Sequence, residues 1–241
     1  MSAQTNRRAI VIASICTAIG VAIAASLGVW QLQRLAWKQD ILAKIDQRIH
    51  AEPVRPDTLH LQIQNREDVE YTRVRVRGYF DQDREIHFYA PGPEGPGWQL
   101  VTLFHETNGR LYFVNRGYVA QGRLAEAARP QGEAEITGLL RPYNRRNAFT
   151  PANNIAENQW YWYEYDAMRD YVYETWQQRN AVDLFPFVIE EEPSSGSYPA
   201  GGVTILNIPN NHLQYALTWF GLMLALAGVY TVWLFRQLRD Q

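Results

Sequence analysis

Few residues in this chain have both the type and the setting to do chemistry, and His212 is the foremost of them. It precedes Leu213 to Phe235, a run of 23 residues without Asp, Glu, Lys or Arg. A helix starting there carries Tyr215, Ala216 and Trp219 on the face of His212, at i+3, i+4 and i+7. Trp30, Gln31 and Arg34 stand at the end of an equivalent charge-free run of 25 residues, Ala9 to Gln33. Two helix ends joined by a compact domain can meet. An imidazole and a guanidinium in an aromatic-lined groove could hold a haem, because imidazole ligates iron and Arg pairs with a propionate. The same residues also suit an aromatic belt at a membrane surface, with Arg34 snorkelling and His212 interfacial. Both readings stand on the residues alone.

Elsewhere no metal or nucleophile motif occurs. There is no Cys pair, no His-Glu-x-x-His, no Gly-rich phosphate loop after a strand and no Gly-x-Ser-x-Gly. Asp81-Gln82-Asp83 lacks the later glycine and glutamate of a calcium loop and reads as a solvated turn. His50, His60, His87 and His105 are dispersed, a pattern of exposed or hydrogen-bonded histidines rather than ligands. Trp160-Tyr161-Trp162-Tyr163 could stack on a planar ligand, but reads better as a strand with one buried face and partnered hydroxyls. No catalytic constellation is visible, so neither enzymatic activity nor catalytic residues are expected. A nucleic-acid partner is not expected either.

The mean hydropathy of the whole chain, -0.34, conceals the two apolar runs that would hold these residues in place. All 48 charged residues fall in the other 193 positions, the density of a globular surface. The pattern excludes disorder, a polytopic transporter and a plain cytosolic enzyme. Each run exceeds the roughly 20 helical residues that cross a hydrocarbon core. The chain thus partitions into an arm (1–8), a first transmembrane helix (9–33), an exterior domain (34–212), a second transmembrane helix (213–235) and a tail (236–241). The exterior segment carries 19 basic and 24 acidic residues, and no Lys or Arg lies between Arg179 and Arg236. The positive-inside bias therefore puts both termini in the cytoplasm. Arg34, Lys38, Lys44 and Arg48 argue the other way. Ala22-Ile23-Ala24 resembles a signal-peptide cleavage site, yet the apolar run continues well past it, which favours a retained anchor. A bacterial inner membrane with a periplasmic central domain fits these features best. Cys16, the single cysteine, lies in the first apolar run, so the domain has no disulfide.

Leu35 to Ile49 continues as a helix with an apolar stripe, stopped by Pro53 and Pro56. Period-two patterning then begins with Arg73-Val74-Arg75-Val76-Arg77. Further short strands are predicted at Glu85 to Tyr89, Trp98 to Phe104, Arg110 to Val114, Ala134 to Leu140, Gln159 to Tyr165 and Phe185 to Ile189. Asp166 to Gln178 reads as a helix. The separators are Pro91 to Gly97, Pro130-Gln131-Gly132 and Asn108-Gly109, the last a strong hairpin signal. The fold class is a membrane-anchored α+β protein: two transmembrane helices flanking one mainly antiparallel, barrel-like β domain with one or two helices.

Three segments carry a family likeness. Gly28-x-Trp30-Gln31-x-x-Arg34-x-x-x-Lys38, Val114-Asn115-Arg116-Gly117-Tyr118-Val119 and Asn210-Asn211-His212-Leu213-Gln214-Tyr215-Ala216-x-Thr218-Trp219-Phe220 resemble the Surfeit locus protein 1 family, in matching order over nearly the whole chain. The last block is the most specific; where the family often has Trp and Pro, Tyr118 and Ala120 stand here. The resemblance implies a non-enzymatic assembly factor for cytochrome c oxidase that handles haem a for the catalytic subunit. It further implies that subunit, haem a synthesis enzymes and membrane lipid as partners. His212 is the implied iron ligand. By position and motif match, Arg34 lies near a propionate, with Trp30, Tyr215 and Trp219 against the ring and Gln31 nearby. The alternative is a scaffold that docks an oxidase subunit through strand edges of the exterior domain, without holding haem.

Overall fold

The computed structural model describes residues 3–144, 146–173, 184–193, 198–202 and 210–239. In chain order the helices are α1 (Ala3–Ile49), α2 (His60–Gln64), α3 (Tyr165–Tyr173) and α4 (His212–Arg239). The strands are β1 (Arg73–Gly92), β2 (Gly95–Glu106), β3 (Leu111–Ala120), β4 (Glu133–Pro142), β5 (Gln159–Trp160) and β6 (Leu184–Glu191). Two compact units result, Met1–Lys44 with Asn207–Gln241, and Ile45–Leu206.

The first unit is a helix pair. Helix α1 is unbroken over 47 residues, so the helix expected at Leu35 to Ile49 is the continuation of the first apolar run. At ~1.5 Å per residue it is about 70 Å long, more than twice a hydrocarbon core of ~30 Å. Both α1 and α4 are long and apolar enough to cross a membrane. Their large apolar side chains point outward: Ile12, Ile15, Ile19 and Ile23 on α1, with Leu217, Leu224, Val229 and Phe235 on α4, are each more than half exposed. Exposed apolar surface of this kind marks a face for membrane or protein contact.

The second unit is a mixed β-sheet that closes on itself. Its order is β2-β3-β6-β4-β1-β5, and β1 also pairs with β2. Strand β1 reaches both neighbours because it is long: Arg73 to Tyr79 pair with β4, and Gly78 to Gly92 with β2. Strands β3 and β6 are parallel, as are β1 and β5; the other four pairings among the described residues are antiparallel. The unit is thus α+β as expected, with two parallel pairings that local patterning does not show.

Three local expectations change. The strands predicted at Arg73 and at Glu85 are one strand, and Asp81-Gln82-Asp83 is a bulge in it rather than a turn: Asp81 pairs with Leu103 and Glu85 with Thr102. A bulge keeps the strand running while adding residues on one side only. Strands β1 and β2 also run into the Pro91 to Gly97 separator, as far as Gly92↔Gly95. Gln159 to Tyr165 forms a strand only at Gln159–Trp160. Beyond it, the Tyr161 and Tyr163 amides donate to the Asn153 and Asn144 side-chain oxygens instead of to a neighbouring strand. The Asn108-Gly109 hairpin between β2 and β3 forms as expected, with Gly109 at φ +93°. The last five residues of the helix predicted at Asp166 to Gln178 lie outside the described residues.

Strand β3 is buried along its whole length because both its faces are covered. Tyr112 and Val114 join Val74, Val76, Phe104, Ile136 and Ile189 in one apolar cluster, closed by Leu59 and Ile63. Leu111 and Phe113 face the opposite way, toward Ile86, Val101, Trp160 and Met168 of α3. Alternation along one strand therefore feeds two cores.

Candidate functional site

In the helix pair the contacts run antiparallel: Ser14 meets Tyr230, Gly20 meets Leu226, Gly28 meets Phe220 and Gln31 meets His212. Gly20, Ala24 and Gly28 recur every fourth residue and so share one face of α1. A Cβ on Gly28 would lie 2.6 Å from the Phe220 ring, so the absence of a side chain lets that ring lie against the α1 backbone. Small residues of this kind are how apolar helices approach closely without a hydrophobic driving force between them. Ala24 and Ala216 are buried in the seam. At one end the Ser14 hydroxyl donates to the Ile10 carbonyl, so the Tyr230 hydroxyl donates to Ser14.

At the other end His212 opens α4, and its Nδ1 lies 2.7 Å from Oε1 of Gln31. An amide oxygen only accepts, so Nδ1 carries the proton. Nε2 makes no hydrogen bond among the described residues. A metal-ligating imidazole is arranged this way, with one nitrogen anchored by a neighbour and the other turned to the metal. Gln31 is 9% exposed, which fixes the anchor in the seam. Among the described residues no group of three or more His, Cys, Asp or Glu could hold a bare ion. A haem needs no such group, because its macrocycle supplies four nitrogens and the protein adds one axial donor. One imidazole is the donor count that a haem would require of the protein.

The other expected site residues are placed as follows. Trp30 and Tyr215 are about half exposed, and Trp219 is half-buried. Arg34 is exposed, with its guanidinium 4.2 Å from the centre of the Trp37 ring. Trp37 is not among the residues that motif and position single out, although its i+3 spacing from Arg34 could have flagged it. Gly20 and Ala24 escape the same reasoning, and the four-residue repeat of small residues was the available signal.

The second polar centre lies within the β unit. Asn115 and Arg116 are 1% and 6% exposed. The Asn115 side chain donates to Gln99 and to the Tyr163 hydroxyl, and accepts from the Gly117 amide. Gly117 has φ +119°, and a Cβ there would lie 2.1 Å from the Ala200 carbonyl, so only glycine fits. Arg116 donates to the Ala128 carbonyl, stacks on Phe80 and lies 4.0 Å from Glu85. Glu85 accepts from Arg129 and pairs with His87, each at 3.0 Å. Burial pushes the Glu85 carboxyl up, but those two hydrogen bonds outweigh it and hold the group below its ordinary value. Burial pushes the Arg116 guanidinium down, with Glu191 and Glu85 opposing. The Asn-Arg-Gly segment is therefore an internal knot of the sheet. Among the described residues, each strand of the five-membered ring has a neighbour on both sides.

A family model described as the SURF1 family matches residues 18–224, from within α1 through the β unit into α4. Surfeit locus protein 1 of Rattus norvegicus is 31% identical over 224 residues, covering 85% of this chain and 70% of the relative. The protein of the same name from Homo sapiens is 31% identical over 220 residues, covering 83% and 70%. That from Gallus gallus is 31% identical over 222 residues, covering 83% and 68%.

Proposed function

Because the chain belongs to the SURF1 family, we propose that it is a non-enzymatic assembly factor for cytochrome c oxidase that holds haem a for delivery to, or insertion into, the catalytic subunit. The assembly role is what the family resemblance implies. The observation on this chain that supports cargo handling is the His212 imidazole, with Nδ1 held by Gln31 and Nε2 without a partner among the described residues. His212 binds the iron, and Arg34 supplies a cation for a propionate. Trp30, Tyr215 and Trp219 offer flat apolar surface to the ring. Holding the haem through one histidine would suit a carrier that must surrender its cargo. The catalytic subunit receives the haem, and haem a synthesis enzymes are its source.

Residues 9–33 and 213–235 cross a bacterial inner membrane, with both termini cytoplasmic and residues 34–212 periplasmic. The outward apolar faces of α1 and α4 and the basic C-terminal flank at Arg236 and Arg239 support this placement. Compartment-specific reporters fused at the C-terminus and in the β unit test it, and a periplasmic signal from the C-terminal fusion would overturn it.

Purified wild type supplied with haem a should show its absorption bands, and His212→Ala should lose them. Equal haem occupancy in the two proteins would overturn the ligand assignment. Phe149 favours a second reading, scaffolding. It is 97% exposed on a turn pinned by Asn147, whose side chain accepts from the amides of Phe149 and Thr150. Under scaffolding alone, His212→Ala leaves oxidase assembly intact and Phe149→Ser impairs it.

A further inference from the structure

We infer that Gln31 is the positioning residue for the proposed cargo site, selecting Nε2 of His212 as the ligand atom and setting how strongly it donates; this rests on the haem-holding reading above. Three observations converge. The Gln31 side-chain oxygen lies 2.7 Å from Nδ1 of His212, so the ring is held through that nitrogen and Nε2 is left to a ligand. Gln31 is almost fully buried, so its hydrogen bond to His212 is shielded from competing water. Gly28, one turn earlier on α1, admits the Phe220 ring against the backbone and so sets the spacing at which this bond forms.

The chemistry of the acceptor matters as much as its place. A carboxylate at this position would draw the Nδ1 proton toward itself and push electron density onto Nε2, giving a tighter ligand. An uncharged amide orients the ring without that push. Gln31 therefore makes His212 a fixed but moderate ligand, the combination a haem donor needs. A buried amide that served only to join the helices would leave the iron's electronics untouched, and a reduction potential tells the two roles apart.

The experiment uses the full chain in detergent or nanodiscs, loaded with haem a, and compares wild type, Gln31→Glu, Gln31→Leu and His212→Ala. Haem affinity, absorption spectrum and reduction midpoint are measured, with helix content as the control for folding. Gln31→Glu should move the midpoint to more negative potential, because a more basic imidazole stabilises the ferric state. Gln31→Leu should weaken haem binding by about 10–100-fold, the usual cost of removing a partner that orients a ligand. If both Gln31 variants match wild type in affinity and midpoint while His212→Ala loses haem, the positioning role fails and the haem reading survives. If His212→Ala retains haem with unchanged spectrum and midpoint, the haem reading fails and the positioning role falls with it. Gln31→Glu is nearly isosteric, so it still decides the question if Gln31→Leu does not fold.

Discussion

The helix pair and the β unit are built on opposite solvation. In the β unit, side chains such as Trp160, Phe104 and Phe113 have no exposed surface, and removal of apolar area from water drives the packing. In the helix pair large side chains such as Ile12, Ile23, Leu224 and Val229 face out, and Gly20 and Gly28 admit Leu226 and Phe220 to a contact seam that also holds Ala24 and Ala216. Cohesion there comes from close backbone approach and from a polar pair at each end, Ser14 with Tyr230 and Gln31 with His212. Each unit also buries one polar centre of a different kind. The β unit holds a charged set, Glu85 with His87, Arg129 and Arg116, in which Oε2 of Glu85 and Nη1 of Arg116 face each other at 4.0 Å without a hydrogen bond. The helix pair holds an amide–imidazole hydrogen bond in which Nε2 of His212 has no partner among the described residues. The first is an ionic set inside a sheet, the second a single hydrogen bond that joins two helices.

If burial from water holds the β unit together, the most damaging single change lies in its aromatic core. Trp160→Ala should cost the unit about 3–5 kcal/mol, the range for deleting a buried aromatic, as measured by chemical denaturation. A loss well under 1 kcal/mol would mean that the second core is not what holds the sheet. In the helix pair, where close approach takes the place of burial, Gly28→Ile forces a branched side chain into the Phe220 ring. It should destabilise by about 1–3 kcal/mol through overpacking. Thermal unfolding in detergent reads this, and Gly221→Ile, at a glycine with open space around it, is the control.

The charged set of the β unit gives that unit a pH-dependent contribution to stability. Since the Glu85 carboxyl titrates lower in the folded chain than in the unfolded one, its stabilising contribution is complete above the unfolded value. It is lost as pH falls from there through the depressed folded value. The stability difference between wild type and Glu85→Gln should be constant from neutrality down to about pH 5 and then shrink as the carboxyl protonates. A difference that grows on acidification would reverse the assignment. The smallest effect is expected at Phe149, where Phe149→Ser should change stability by no more than about 0.5 kcal/mol, as for other surface positions away from such features. A larger loss would show that this ring, at 97% exposure, belongs to the fold and not to a docking surface.

Much of the fold is legible in the sequence where local signals decide the outcome. The two apolar runs, the helix past Leu35, the Asn108-Gly109 hairpin and most strand positions follow from period and turn chemistry. Asp81-Gln82-Asp83 reads locally as a turn, and only pairing with β2 makes it a bulge. The aromatic block after Trp160 alternates like a strand, yet the Asn153 and Asn144 side chains take its backbone amides. The candidate site divides in the same way. Position and motif single out His212 and Arg34. Pairing of His212 with Gln31, 181 residues away, needs both helices in register.

What the sequence determined by itself is solvation: which stretches avoid charge, which alternate, and which residue types sit where charge-free runs stop. Those properties belong to each segment separately and survive in the unfolded chain. Only tertiary structure decided the closure of the sheet through β1, the burial of Arg116 and the pairing of His212 with Gln31. Each of these depends on distances between segments remote in the chain, and a hydrogen bond forms or fails within a few tenths of an ångström.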